Sequence, residues 1–181
     1  LTLGEARHDD AWTLRGCRLS GLTCLARGDF AAARQFLERG LELYDPEDRA
    51  RHGAFTLYDP QIMMQVFLSW SLFDLGYIDR ARRLWCAALD QARQSKQPFT
   101  LPFGLTMSVM AQLSVDDFDT ALQGADELIA HSNEHSVSFF WGIGSIFRGR
   151  CLVARGEVEA GLEQMAQGLE AYRRTHGSLW L

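Results

Sequence analysis

One short phrase recurs four times along the 181-residue chain and constrains its fold more than any other feature. A Gly or Asp is followed by a spacer, an apolar residue and, three positions later, a small one. The four copies are Gly28-Asp29-Phe30 with Ala33, Gly76-Tyr77-Ile78 with Ala81, Asp116-Asp117-Phe118 with Ala121, and Gly156-Glu157-Val158 with Gly161. Successive anchors lie 48, 40 and 40 residues apart, a spacing that suits stacked helix pairs. Apolar residues recur at helical intervals on both sides of an anchor, as in Trp12, Leu14, Leu19, Leu22 and Leu25 before Gly28 and Phe30, Phe36, Leu37, Leu41 and Tyr44 after it. A left-handed residue ends a helix most readily when it has no Cβ, and Asp is among the few tolerated substitutes. Each anchor therefore reads as the bend of a helical hairpin.

The units also agree in register. Nine residues after the anchors stand Leu37, Trp85, Ala125 and Met165, and thirteen after stand Leu41, Leu89, Ile129 and Leu169. Three before are Leu25, Phe73, Leu113 and Val153. Seven before are Gly21, Ser69, Val109 and Gly149, mostly small, as close helix contact requires. The pattern predicts an all-α chain with helices over 9–27, 30–44, 60–75, 78–95, 101–115, 118–134, 137–155 and 158–175. The eight extra residues of the first interval fall in a loop over 45–53, marked by Pro46, Gly53 and alternating charge. Asp59 then serves as N-cap and Pro60 as the first helical residue, while Pro98 and Pro102 bracket the entry to the third hairpin.

Composition agrees with helix: four prolines, 23% charged and 47% hydrophobic residues leave little expectation of strand. A net charge of −5 provides no global field for nucleic acid. No apolar run reaches the ~20 residues that span a bilayer, and Leu1-Thr2-Leu3-Gly4-Glu5 lacks a basic-then-apolar leader. The expectation is a cytoplasmic protein without membrane contact. The missing initiator Met and the apolar end Ser178-Leu179-Trp180-Leu181 suggest a piece of a longer protein. Cys17, Cys24, Cys86 and Cys151 form no CxxC and are expected as reduced, buried thiols.

At these positions the chain resembles the tetratricopeptide repeat (TPR) superfamily. The fullest match is Gly21, Leu25, Gly28-Asp29-Phe30, Ala33, Leu37 and Gly40-Leu41, followed by Ser69, Phe73, Gly76-Tyr77-Ile78, Ala81, Trp85 and Ala88-Leu89. The third unit departs at Asp116, Ala125 and Leu128, and the fourth has Gly161 where Ala is usual. The resemblance implies one repeat domain over 1–181, a right-handed α-α superhelix of about four antiparallel hairpins at 9–44, 60–95, 101–134 and 137–175. A narrower similarity covers Gly40-Leu41-Glu42-Leu43-Tyr44-Asp45, His52 with Asp59-Pro60, the run from Ser69 to Gly76, and Phe140-Trp141 with Arg148-Gly149. These stretches look like the repeat region that follows the ATPase module in bacterial proteins related to adenylate and guanylate cyclases. That likeness implies a sensing or scaffolding arm whose ATPase or cyclase chemistry lies in other domains.

In TPR arrays the first helix of each hairpin lines the concave side, and positions thirteen, ten and six before the anchor face it. They read Arg15, Arg18 and Leu22; Met63, Val66 and Trp70; Phe103, Thr106 and Met110; Ile143, Ile146 and Arg150. Apolar residues in the middle with arginines at both ends imply a groove for a hydrophobic helix or peptide. Tight curvature that fills the groove with its own side chains is the bland alternative. The partner would be a protein or peptide, another domain of the same chain, or a second copy; the alternative function is a sensor that takes a small effector into the groove. No catalytic residue, cofactor or metal is expected. His131 and His135, four apart near Asp126, Glu127 and Glu134, read as exposed helix-end residues rather than ligands. Gly142-Ile143-Gly144 lacks the strand and the Lys-Ser/Thr of a phosphate loop. His8-Asp9-Asp10 with Ser20 has no nucleophile elbow. Trp85 reads as core between repeats, and Arg80, Arg82 and Arg83 as a solvated face.

Overall fold

A computed structural model describes residues 4, 6, 9–48, 57–95 and 97–175. Among them run eight α-helices and no strand: α1 (Asp10–Ala26), α2 (Phe30–Glu42), α3 (Pro60–Asp74), α4 (Ile78–Gln94), α5 (Thr100–Ser114), α6 (Phe118–Glu134), α7 (Ser138–Ala154) and α8 (Val158–Arg174). Every bound falls within two residues of the expected one. The 45–53 loop is described only over 45–48, where Pro46–Asp48 forms a 3-10 turn; His8, His52 and the apolar end at Ser178 lie outside the described residues.

All four anchors adopt left-handed backbone, with φ of 76° at Gly28, 85° at Gly76, 58° at Asp116 and 90° at Gly156. After each, the next amide donates to the carbonyl five residues back: Asp29 to Cys24, Tyr77 to Leu72, Asp117 to Gln112 and Glu157 to Leu152. This closure satisfies carbonyls that a helix end would otherwise leave unpaired. Asp29 and Asp117 then cap the following helices, their side chains accepting from the amides of Ala32 and Thr120.

A fifth bend of the same kind joins α6 to α7. Ser136 has φ of 55°, and the Val137 amide donates to the Ser132 carbonyl. Serine has a Cβ that left-handed backbone tolerates poorly and no amide or carboxylate to compensate. Ser136→Gly should therefore raise stability by about 1 kcal/mol, and Gly76→Ala, at an anchor where a Cβ would meet nothing within 4 Å, should lower it by a similar amount. Urea denaturation read by circular dichroism checks both signs.

The chain divides into two compact units, Leu1–Leu101 and Pro102–Leu181. In the first, α1 packs on α2 and α3, and α3 packs on both α2 and α4, around Leu14, Leu37, Met64 and Leu72, all fully buried. Asp59 is buried at the head of α3. Its carboxylate accepts from the Gln61 and Ile62 amides, and its own amide donates to the Thr100 hydroxyl at 2.9 Å. In the second unit α7 packs on α6 and α8, and Val109, Leu113, Ala121, Ala125 and Cys151 form a cluster flanked by Phe118, Leu122 and Phe147.

The α7/α8 pair touches backbone to backbone. A Cβ at Gly149 would lie 2.5 Å from the Gly161 carbonyl oxygen, and one at Gly161 would lie 2.6 Å from that of Gly149. Gly142 and Gly168 repeat the reciprocal contact at 2.8 and 2.7 Å. Hydrogen replaces a side chain at these crossings because nothing larger fits. Gly142-Ile143-Gly144 is thus a mid-helix packing surface, with Gly142 against α8 and Gly144 against Ile129 and Leu128 of α6.

Helical spacing does not fix burial, and one expectation needs correction. Trp12 and Leu19 are more than half exposed, because α2 and α3 pack on the opposite side of α1, through Leu14, Cys17 and Gly21. The four cysteines form no disulfide, but only Cys17 and Cys151 are buried; Cys24 is half-buried and Cys86 exposed. Cys86 falls on the polar face of α4, whose buried residues are Ala81, Ala88 and Ala92.

Candidate functional site

In the first unit, α1 carries Arg15, Arg18 and Leu22, and α3 carries Met63, Val66 and Trp70. Val66 is fully buried and Met63 is 9% exposed, so neither side chain is open to a partner. Leu22 and Trp70 are half-buried, and Trp70 hydrogen-bonds Asp74, whose carboxyl is held above its ordinary pKa by burial against the opposing effect of that bond.

Arg18 is the unusual member. Its Nη1 donates to the Met63 sulfur at 3.3 Å, a weak acceptor, and its Nε is buried without a partner. Burial, and secondarily the charge of Arg15, lower its pKa from the usual arginine value. Among the described residues no carboxylate answers it. Arg15 itself lies over the Trp12 ring, 4.9 Å from the centroid. The two side chains therefore hold positive charge at a half-covered surface, where a guanidinium N–H still lacks an acceptor.

In the second unit, four of the six expected inner positions converge on one cavity. Thr106 and Met110 of α5 and Ile143 and Ile146 of α7 line a space of about 290 Å³, completed by Phe147 of α7 and by Leu169 and Tyr172 of α8. The Thr106 hydroxyl donates to the Pro102 carbonyl at 2.8 Å, leaving it an acceptor toward other groups. Tyr172 is 3% exposed and its hydroxyl is buried with no partner. Phe103 is buried but does not line the cavity; Arg150 is exposed and reaches the Leu113 carbonyl at 3.3 Å.

The sequence reading misses Phe147, Leu169 and Tyr172. Leu169 was visible as the recurrent position thirteen after the anchor, where it reads as ordinary interior packing. A wider, polar recess of about 580 Å³ lies elsewhere in this unit, among Ser132, Ser136, Ser138, Trp141 and Arg174. It gathers hydroxyls but no converging charges.

The remaining constellations stay apart from both places. His131 and His135 pack with ring centroids 4.3 Å apart, and among the described residues no three His, Cys, Asp or Glu side chains converge as metal ligands would. Asp9 is occupied in capping α1, accepting from the Ala11 and Trp12 amides. Arg82 and Arg83 are exposed, while Arg80 pairs with Glu38 of α2 at 2.8 Å. Trp85 is half-buried, with its indole nitrogen unpartnered. Among the described residues no helix is long and apolar enough to cross a membrane. No protein-family model matches the chain, and no curated protein is detectably similar to it.

Proposed function

We propose that this chain is a noncatalytic interaction module of the TPR type, which holds a peptide or a segment of another domain against the inner positions of its first helices. In keeping with the narrower likeness noted in the sequence, it would serve as the sensing or scaffolding arm of a cytoplasmic bacterial signalling ATPase or cyclase-like protein. The observation that carries the reading is Arg18, a partly covered guanidinium with one N–H unpartnered and only a thioether to donate to. Leaving a buried donor unmade costs stability, and a carboxylate brought by a partner would satisfy it with a charge-assisted bond. The half-buried Leu22 and Trp70, at expected inner positions on α1 and α3, offer apolar surface for the flanking residues.

Selection of a random peptide library on the immobilised 181-residue chain tests this. Enriched peptides should carry a carboxylate next to apolar residues, and Arg18→Met should weaken them by about tenfold, the size of one charge-assisted hydrogen bond. The same substitution should leave thermal stability equal or higher, since it removes an unpaired buried donor. Failure to enrich any peptide, or binding indifferent to Arg18, would refute the reading.

A further inference from the structure

We infer that the cavity of the second unit is a binding site for a compact, largely apolar small molecule carrying one hydroxyl or carbonyl group. Size gives the first part of the argument. An apolar cavity near 150 Å³ takes one benzene ring, so the 290 Å³ here suits about twelve non-hydrogen atoms, near the lower end of ligand pockets. That is the size of two fused rings carrying one or two substituent atoms.

Chemistry gives the second part. Met110, Ile143, Ile146, Phe147 and Leu169 offer only apolar surface, so a charged or strongly hydrated ligand would lose its water without compensation. The two polar groups among the lining residues are hydroxyls in different states. Thr106 has already spent its proton on the Pro102 carbonyl, whereas the Tyr172 hydroxyl is free both to donate and to accept. A tyrosine oxygen left buried and unpaired is a cost to the empty protein, and a ligand with a single polar atom would remove it. Position gives the third part. The walls come from three helices, α5, α7 and α8, so a ligand would bridge the α7/α8 pair to its neighbour and resist their separation. This site does not depend on the peptide reading, and either can fail alone.

The test uses 2-naphthol and naphthalene as probes on the whole chain, with calorimetric titration and amide chemical shifts as readouts. Both probes should bind saturably with shifts centred on α5, α7 and α8, and 2-naphthol should bind roughly three- to tenfold more tightly, the worth of one hydrogen bond. Tyr172→Phe should abolish that preference while raising the melting temperature of the empty chain, a combination that a purely structural tyrosine would not give. Ile146→Trp, or Met110→Phe should the first disturb folding, should weaken both probes by at least about tenfold by occupying the space. Absence of saturable binding, binding that survives both filling variants, or a preference retained in Tyr172→Phe would each overturn the inference.

Discussion

Gly149→Val should destabilise the second unit by about 3 kcal/mol or more, the largest loss expected of any single substitution in this chain. The reason is that the obstacle is backbone. A methyl at Gly149 would already stand 2.5 Å from the Gly161 carbonyl oxygen and 2.5 Å from Met165 Cγ, and Gly161 meets the same limit in return. Side chains can rotate away, but a carbonyl in a helix moves only with its helix, so α7 and α8 must part along their length. The sign is diagnostic. In a loosely packed helix, glycine to alanine gains close to 1 kcal/mol from propensity; here even Gly149→Ala should lose stability. Gly124→Ala is the informative control, because its Cβ would meet side chains and no backbone, a Val109 methyl at 2.8 Å, which can shift, and Gln112 Oε1 at 3.7 Å. Thermal melting together with hydrogen exchange in α7 and α8 measures the effect, and an unchanged or raised midpoint for Gly149→Ala would show that the helices are not in backbone contact.

Asp59→Ala should cost about 2 to 3 kcal/mol, well above a typical surface cap. An exposed N-cap can be replaced by water, but Asp59 is 1% exposed, and removing its carboxylate strands the Gln61 and Ile62 amides where water has no ready access. Asp59→Asn keeps an acceptor in place and should remain within about 0.5 kcal/mol of the parent, since asparagine caps as well as aspartate. Thr100→Val removes a different bond, the hydroxyl that receives the Asp59 amide, and should cost a further 1 to 2 kcal/mol, roughly. Chemical denaturation of the three variants separates these contributions. An alanine variant no weaker than the asparagine one would mean that the cap does not hold the head of α3.

Much of this architecture is legible in the residues. The anchors identify themselves because a left-handed bend selects for glycine locally, and the helix bounds follow from caps and apolar spacing within a few residues of each position. Ser136 escapes for the complementary reason: it makes the same bend with a residue that carries no such signature, so the α6/α7 junction looks like any polar linker. Trp12 and Leu19 show another limit, since periodicity marks which residues are apolar but not which helix face another helix covers. The inner positions are partly readable. Thr106, Met110, Ile143 and Ile146 are named by counting back from the anchors, yet Tyr172, the group with an unspent hydrogen bond, stands sixteen after its anchor, where Tyr44, Ala92 and Ser132 in the other units share no common chemistry to mark it.

Sequence alone determined the number of helices and the four anchor bends, because these depend on interactions within a few residues of one another. Tertiary packing decided the rest. Whether a glycine is a flexible site or the touching point of two backbones, whether an inner residue such as Val66 is sealed or one such as Met110 borders a cavity, and whether Arg18 or Tyr172 finds a partner all depend on side chains far apart in the chain. Burial and hydrogen bonding are properties of a place rather than of a residue, and the place exists only once α1 lies on α3 and α7 on α8.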